Sequence, residues 1–302
     1  MMKGITGPLY RRVIKPVLFL FPADTIHALF LSTGRLLGKY RFTRACTRSL
    51  WRYDSEILTQ QVSGLEFKNP IGLSAGFDYN ADLVNILPAV GFGFHTIGTL
   101  TNDAYEGNPA PMLGRLPKSQ SLLVNKGFKN EGVQNVLSHI SPVNGEAIRG
   151  VSVGVTNKGY DTYEQMMDNL VDGFREADTC KAFDYYELNI SCPNLHNVKT
   201  LTERLARPEG LNEALTRLAH LSLSRPLFIK MPLEKTETEI QALIETAKPF
   251  PFVRGLILSN LAKDRTNPAF DAEEISRAGT GNFSGKPLED RKSTRLELQS
   301  RS

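Results

Sequence analysis

A chain of 302 residues with 41% apolar and 23% charged residues and a formal net charge of +4 is long enough for one large α/β domain, and too apolar for a disordered one. Cys46, Cys180 and Cys192 are odd in number and lack metal-ligand spacing, which argues against a disulfide framework or a zinc site and for a reducing cytoplasmic compartment. None of the five histidines forms a ligand-spaced pair, so they are expected to be structural or surface residues, with no metal.

Residues 1 to 52 carry ten Lys/Arg against the single acid Asp24, and the rest of the chain is net acidic. The apolar runs PVLFLF and HALFL fall far short of the roughly 20 residues that span a bilayer. Pro16 interrupts the first run and no convincing cleavage site follows, so export is rejected. Two short helices are expected, one over about residues 5 to 20 and one starting near Asp24, on which Ile26, Leu29, Phe30, Leu36 and Leu37 share a face. Apolar stripes in a basic surround suit docking on an anionic lipid surface. A solvated basic face packed on the main domain accounts for the same composition equally well. Residues 1–52 are read as a helical extension and 53–291 as the main domain, with no nucleic-acid partner.

TQQVSGLEFKNP reads as a hairpin with Ser63-Gly64 at its turn, a lid over one end of the domain. Apolar, β-branched runs then recur at 70–75, 94–100, 150–155, 185–191, 226–231 and 255–260, with helical stretches between them. Ser74, Thr99, Asn189, Lys230 and Asn260 stand where these runs stop. Polar residues at strand C-termini suit the active face of a (β/α)8 TIM barrel; a doubly wound sheet gathers ligands in the same place. The connection over 101–146 is long enough to suggest function.

Cys192 follows the strand run at 185–191 and sits between Asn189 and Asn194. A lone cysteine is usually a small buried hydrophobe, and the flanking amides are what argue against that reading here. Lys230 ends an apolar run, where a charge is costly without a partner.

The motifs NPIGLSAGFD (69–78), TIGTLT (96–101), NKGFKNEG (125–132), ELNISCPN (187–194), FIKMP (228–232), LILSN (256–260) and NFSGKPL (282–288) together resemble the dihydroorotate dehydrogenases, from about residue 8 to residue 291. These are TIM-barrel flavoproteins that oxidise dihydroorotate to orotate in pyrimidine biosynthesis. The resemblance implies FMN as cofactor and Cys192 as the base that takes the C5 proton while hydride leaves C6 for the flavin. It further implies substrate contacts from Asn125, Phe128, Asn189, Asn194 and Asn260. Flavin contacts are implied for Ala75, Gly76, Thr99, Ser152, Asn189, Lys230, Ser259, Ser284 and Gly285.

The sequence also departs from the family. Tyr79 stands where class 2 members carry a substrate-binding lysine, which leaves Lys118 and Lys126 as candidate cations for the orotate carboxylate. VNKGFKN is one residue shorter than the family motif, which unsettles the role of Asn125. Ser152 replaces a common flavin-binding asparagine, and LHNVK replaces the usual loop after Asn194. The N-terminal extension resembles class 2 and implies a quinone acceptor (ubiquinone or menaquinone), in a peripheral protein on the cytoplasmic face of the cell membrane. The cysteine base resembles class 1 and keeps a cytoplasmic enzyme with a soluble acceptor such as fumarate as the alternative. A flavin-free barrel lyase or isomerase with an imine-forming Lys230 is a further alternative. After GKPLEDR the tail KSTRLELQSRS (292–302) has no apolar strand run where the family continues through two more barrel strands, so a truncated barrel is expected. The oligomeric state is left open.

Overall fold

The computed structural model describes residues 7–140, 146–232, 234–258 and 260–289; the tail at 292–302 lies outside them. The first sheet is the hairpin of β1 (Gln60–Val62) and β2 (Leu65–Phe67), paired antiparallel. Ser63 and Gly64 at its turn have φ of 52° and 81°, the pair of positive values a two-residue type I′ turn demands.

Next come β3 (Gly72–Leu73) and β4 (Phe94–Leu100), then β5 (Leu113–Leu116) and β6 (Ser121–Val124) within the 101–146 connection. They are followed by β7 (Ile148–Val153), β8 (Tyr185–Asn189), β9 (Leu227–Met231), β10 (Val253–Leu258) and β11 (Asn282–Gly285). Six of these form one sheet in the order β3-β4-β7-β8-β9-β10, and every neighbouring pair is parallel. Spatial order equals chain order, which is the winding of a (β/α)8 barrel; a doubly wound sheet would reverse direction partway. All six expected runs contribute a strand, although the first is trimmed to two residues.

Helices close the outer side. Tyr163–Asp178 joins β7 to β8, Pro208–Ala219 lies between β8 and β9, and Glu237–Ala247 joins β9 to β10. Thr162 starts the first by accepting from the Gln165 N–H, and Met166, Met167, Leu170, Phe174 and Ala177 recur at helical spacing to bury one face. They meet the outward side chains of the strands: Tyr186 and Leu188 are fully buried, with the Tyr186 ring 6.2 Å from Phe174.

Alternation sends Tyr185, Glu187 and Asn189 of β8 to the other side, into the barrel. At its lower end Tyr185 lies edge-on to Phe228 at 5.4 Å, and Phe94 to Phe67 of the hairpin at 5.3 Å. Gly150 on β7 makes room for this layer: a Cβ there would lie 2.1 Å from the Tyr185 ring. The hairpin thus covers the barrel bottom as expected.

The connection over 101–146 is not a plain loop. β5 and β6 pair antiparallel, β11 adds to β6, and Leu116, Leu123 and Phe283 form a small core of their own. This second sheet stands over the strand C-termini.

At the N-terminus a π-helical turn, Tyr10–Ile14, runs into the helical turn Lys15–Leu18, followed by Ala23–Lys39 and by Arg41–Trp51, a helix beyond the two expected. The inward stripe of Ala23–Lys39 differs from the expected one. It consists of His27, Leu31, Gly34 and Gly38, while Leu29, Phe30 and Leu36 are exposed. The glycines let the helix axis approach Leu83 and Ile86 closely, which pulls their own face inward.

Candidate active site

A cavity of about 460 Å³ opens at the C-terminal ends of the parallel strands, under the second sheet. The chain feeds it from every strand end but that of β7: Ser74, Ala75 and Gly76 after β3, Gly98 and Thr99 in β4, Asn189 and Cys192 from β8, Lys230 from β9 and Asn260 after β10. Val124 and Ser284 close it from above.

Its amides are held in fixed orientations. Asn189 donates to the Thr99 hydroxyl at 2.9 Å and accepts from the Ser191 backbone N–H at 3.2 Å and hydroxyl at 3.1 Å. Asn260 donates to Ser191 Oγ at 2.8 Å. Ser191, which no sequence pattern singles out, therefore couples two amides. Asn194 donates to the Val124 carbonyl at 3.0 Å and accepts from Asn282 at 2.6 Å. Each of these amides retains one donor or acceptor for a ligand.

Cys192 is half-buried. Burial pushes its thiol up to about 11, against the pull of the Asn194 N–H and the charges of Lys230 and Lys263. The free thiol is therefore protonated at neutral pH, and proton abstraction needs the thiolate minority or substrate-induced loss of that proton.

Lys230 points into the cavity from below, with Glu187 Oε1 3.6 Å from its Nζ. Lys126, Lys129 and Lys230 are the charged residues in the lining, and no acid is among them. The site is built to receive negative charge.

A second cavity of about 440 Å³ lies against the first. Leu18, Phe19, Ile26, His27 and Phe30 of the N-terminal segment line it, together with Leu113, Arg115 and Leu122. Gly76, Phe77, Val124 and Lys126 line both chambers and form the wall between them.

The model of the family described as dihydroorotate dehydrogenase matches residues 57–297. The chain belongs to the dihydroorotate dehydrogenase family. A Roseiflexus sp. (strain RS-1) protein is 32% identical over 282 residues, covering 92% of this chain and 75% of its own length. Methylococcus capsulatus and Nocardia farcinica proteins are 31% and 29% identical, over 93% and 91% of this chain and 80% and 73% of theirs. All three are named dihydroorotate dehydrogenase (quinone). The fold matches a crystal structure of the Eimeria tenella enzyme in complex with ferulenol, with a TM-score of 0.75 and 22% identity over 91% of this chain and 77% of that one.

Most positions that carry the dihydroorotate dehydrogenase resemblance meet in the first chamber: Ala75, Gly76, Thr99, Phe128, Asn189, Cys192, Asn194, Lys230, Asn260 and Ser284. Gly76 has φ of 109° and open space where a Cβ would stand, so conformation rather than room calls for glycine there. Ser152 lies one layer beneath, buried and bonded to Thr99 Oγ1 at 2.9 Å. Gly285 packs against the Gln120 carbonyl beside the chamber. Ser259 lies outside the described residues.

Asn125 is placed elsewhere. It lines a neighbouring cavity with His196 and accepts from Asn108 at 2.9 Å and His196 at 3.2 Å. The VNKGFKN segment instead turns Lys126 inward. His27, expected to be structural, donates from Nε2 to the Phe77 carbonyl (2.8 Å), and its Nδ1 stands 3.4 Å from the Lys126 ammonium, at the wall between the chambers.

Proposed function

We propose that this chain oxidises dihydroorotate to orotate in the first chamber, with FMN as cofactor, and passes the electrons to a quinone in the second. The observation that carries this reading is the pair of chambers sharing one thin wall. One carries three lysines, three asparagines and a thiol on a partly apolar lining; the other is more apolar and roofed by the N-terminal helices. The names of the relatives supply the quinone, and family membership supports a role in pyrimidine biosynthesis.

The residues present fit a flavin. Lys230 offers a fixed cation on the chamber floor, Gly76 leaves backbone open to close approach, and Ser284 with Gly285 stands ready on the phosphate side. Bound FMN would supply the hydride acceptor. Asn189, Asn194 and Asn260 orient the pyrimidine edge, whose alternating N–H and C=O groups match amides that both donate and accept. Cys192 Sγ takes the C5 proton as thiolate and holds it as thiol. The second sheet and Phe128 cover the reacting carbons from water.

The exposed side chains of the N-terminal segment support a surface role: Leu20 is 81% exposed and Val17 and Phe21 more than half, beside Arg11, Arg12 and Lys15. No helix among the described residues is long and apolar enough to cross a membrane. The reading is a peripheral protein on the cytoplasmic face of the cell membrane, loaded with quinone from the lipid.

The test is an anaerobic visible spectrum of FMN-reconstituted protein. Bleaching by dihydroorotate, then recovery on adding a short-chain quinone but not fumarate, is the expected result. Recovery with fumarate alone would overturn the acceptor, and absence of bleaching in flavin-loaded protein would overturn the substrate.

A further inference from the structure

Lys126 stands out among the charged residues of the first chamber. It is 9% exposed, and among the described residues no carboxylate lies within ion-pairing distance. Its ammonium sits 4.7 Å over the Tyr79 ring and 3.4 Å from His27 Nδ1. Asp24 is near enough to act through its field, but Asp24 Oδ2 already accepts from the Met112 and Leu113 backbone N–H groups at 3.0 and 3.2 Å. A buried ammonium with only a ring and an imidazole for company lacks the anion that would offset its desolvation.

The other lysines are committed elsewhere. Lys118 is held outside the chamber by Glu273 at 3.0 Å and Asp271 at 3.8 Å. Lys129 donates to the Glu106 carbonyl at 3.0 Å, and Lys230 faces Glu187.

We infer that Lys126 receives the substrate carboxylate. Tyr79 supports it: the π face of its ring holds the ammonium in place. Burial lowers the Lys126 pKa to about 8, so the free lysine gains from an arriving carboxylate. The inference rests on the substrate reading given above.

Orotate binding to the FMN-loaded enzyme, followed by the shift of the flavin spectrum, tests it alongside dihydrouracil, which lacks the carboxylate. In Lys126→Met orotate affinity should fall about 10- to 100-fold, the usual range for loss of a charge-assisted hydrogen bond, with dihydrouracil affinity and flavin content unchanged. Lys126→Arg should restore most of the affinity, and so should Tyr79→Lys combined with Lys126→Met. Unchanged orotate affinity in Lys126→Met, or equal losses for both ligands, would overturn the inference; so would slowed reoxidation by quinone with orotate binding intact, which assigns the lysine to the second chamber. If wild-type enzyme holds flavin and binds no orotate, the substrate reading fails instead.

Discussion

Nζ of Lys230 lies 3.6 Å from Oε1 of Glu187, and that oxygen accepts no hydrogen bond among the described residues. The pair is stacked inside the barrel, glutamate below and lysine above, so each is the main neutralising partner of the other. Removing one partner of such a pair leaves a buried charge exposed to low dielectric, at a cost of about 3–5 kcal/mol, while removing both is close to neutral. Glu187→Leu should therefore lower the urea midpoint sharply, and Glu187→Leu with Lys230→Met should recover most of it. A double variant as unstable as the single one would show that the loss comes from packing.

The thiol and the lysine together set a pH profile. Cys192, facing Lys230 and Lys263, reaches half-ionisation at about 11; Lys126, facing His27, Tyr79, Asp24 and Lys129, loses its proton at about 8. With Cys192 as the proposed base and Lys126 as the proposed carboxylate site, activity needs thiolate and ammonium at once. The kcat/KM of flavin bleaching should rise about tenfold per pH unit up to about 8. Above that, lost ammonium cancels gained thiolate and the profile should stay flat to about 11. In Lys126→Arg the rise should continue toward about 11, because arginine keeps its charge. Stopped-flow bleaching across this range gives the answer.

Replacing the proposed base isolates its share. Cys192→Ala should bind FMN normally and slow the bleaching step by about 10²- to 10⁴-fold, the ordinary worth of a positioned base. Cys192→Ser should fall between the two, as an alkoxide forms less readily than a thiolate.

Gly150 carries the barrel bottom. Gly150→Ala drives a methyl into the Tyr185 ring, whose hydroxyl is pinned to Thr96 Oγ1 at 2.6 Å and so has little room to yield. A loss of about 1–3 kcal/mol is expected, seen as a fall of a few degrees in Tm. Tyr185→Leu in the same chain should relieve much of it.

The N-terminal surface is testable with vesicles. The chain should sediment with vesicles containing anionic phosphatidylglycerol and detach in high salt, and Leu20→Ser with Phe21→Ser should weaken binding even at low salt.

Strand positions are legible in the sequence because strands buried on both faces must be apolar throughout, and polar residues then mark their ends. Glu187 is not singled out in the sequence, yet it obeys the same rule: period-two alternation puts it between Tyr185 and Asn189 on the barrel side. Other features lie beyond local pattern. RFTRACTRSLW is too polar and basic to announce a helix, and Arg41–Trp51 folds because the helix before it and Leu87–Val90 offer a surface to pack on. The choice between Lys118 and Lys126 depends on which loop turns inward, and that follows from acids at 271 and 273, far along the chain, that hold Lys118 outside.

The wall of Gly76, Phe77, Val124 and Lys126 gives each reactant its own door. On the proposed reading, a carboxylate from water and a greasy acceptor from lipid never share a space, so neither can crowd the other out. A drug lodged behind the greasy door would keep its grip however much dihydroorotate is supplied, and one lodged behind the watery door would be indifferent to the quinone pool. Parallel-line kinetics in the two reactants, with each inhibitor competing against one of them alone, is the signature of that partition.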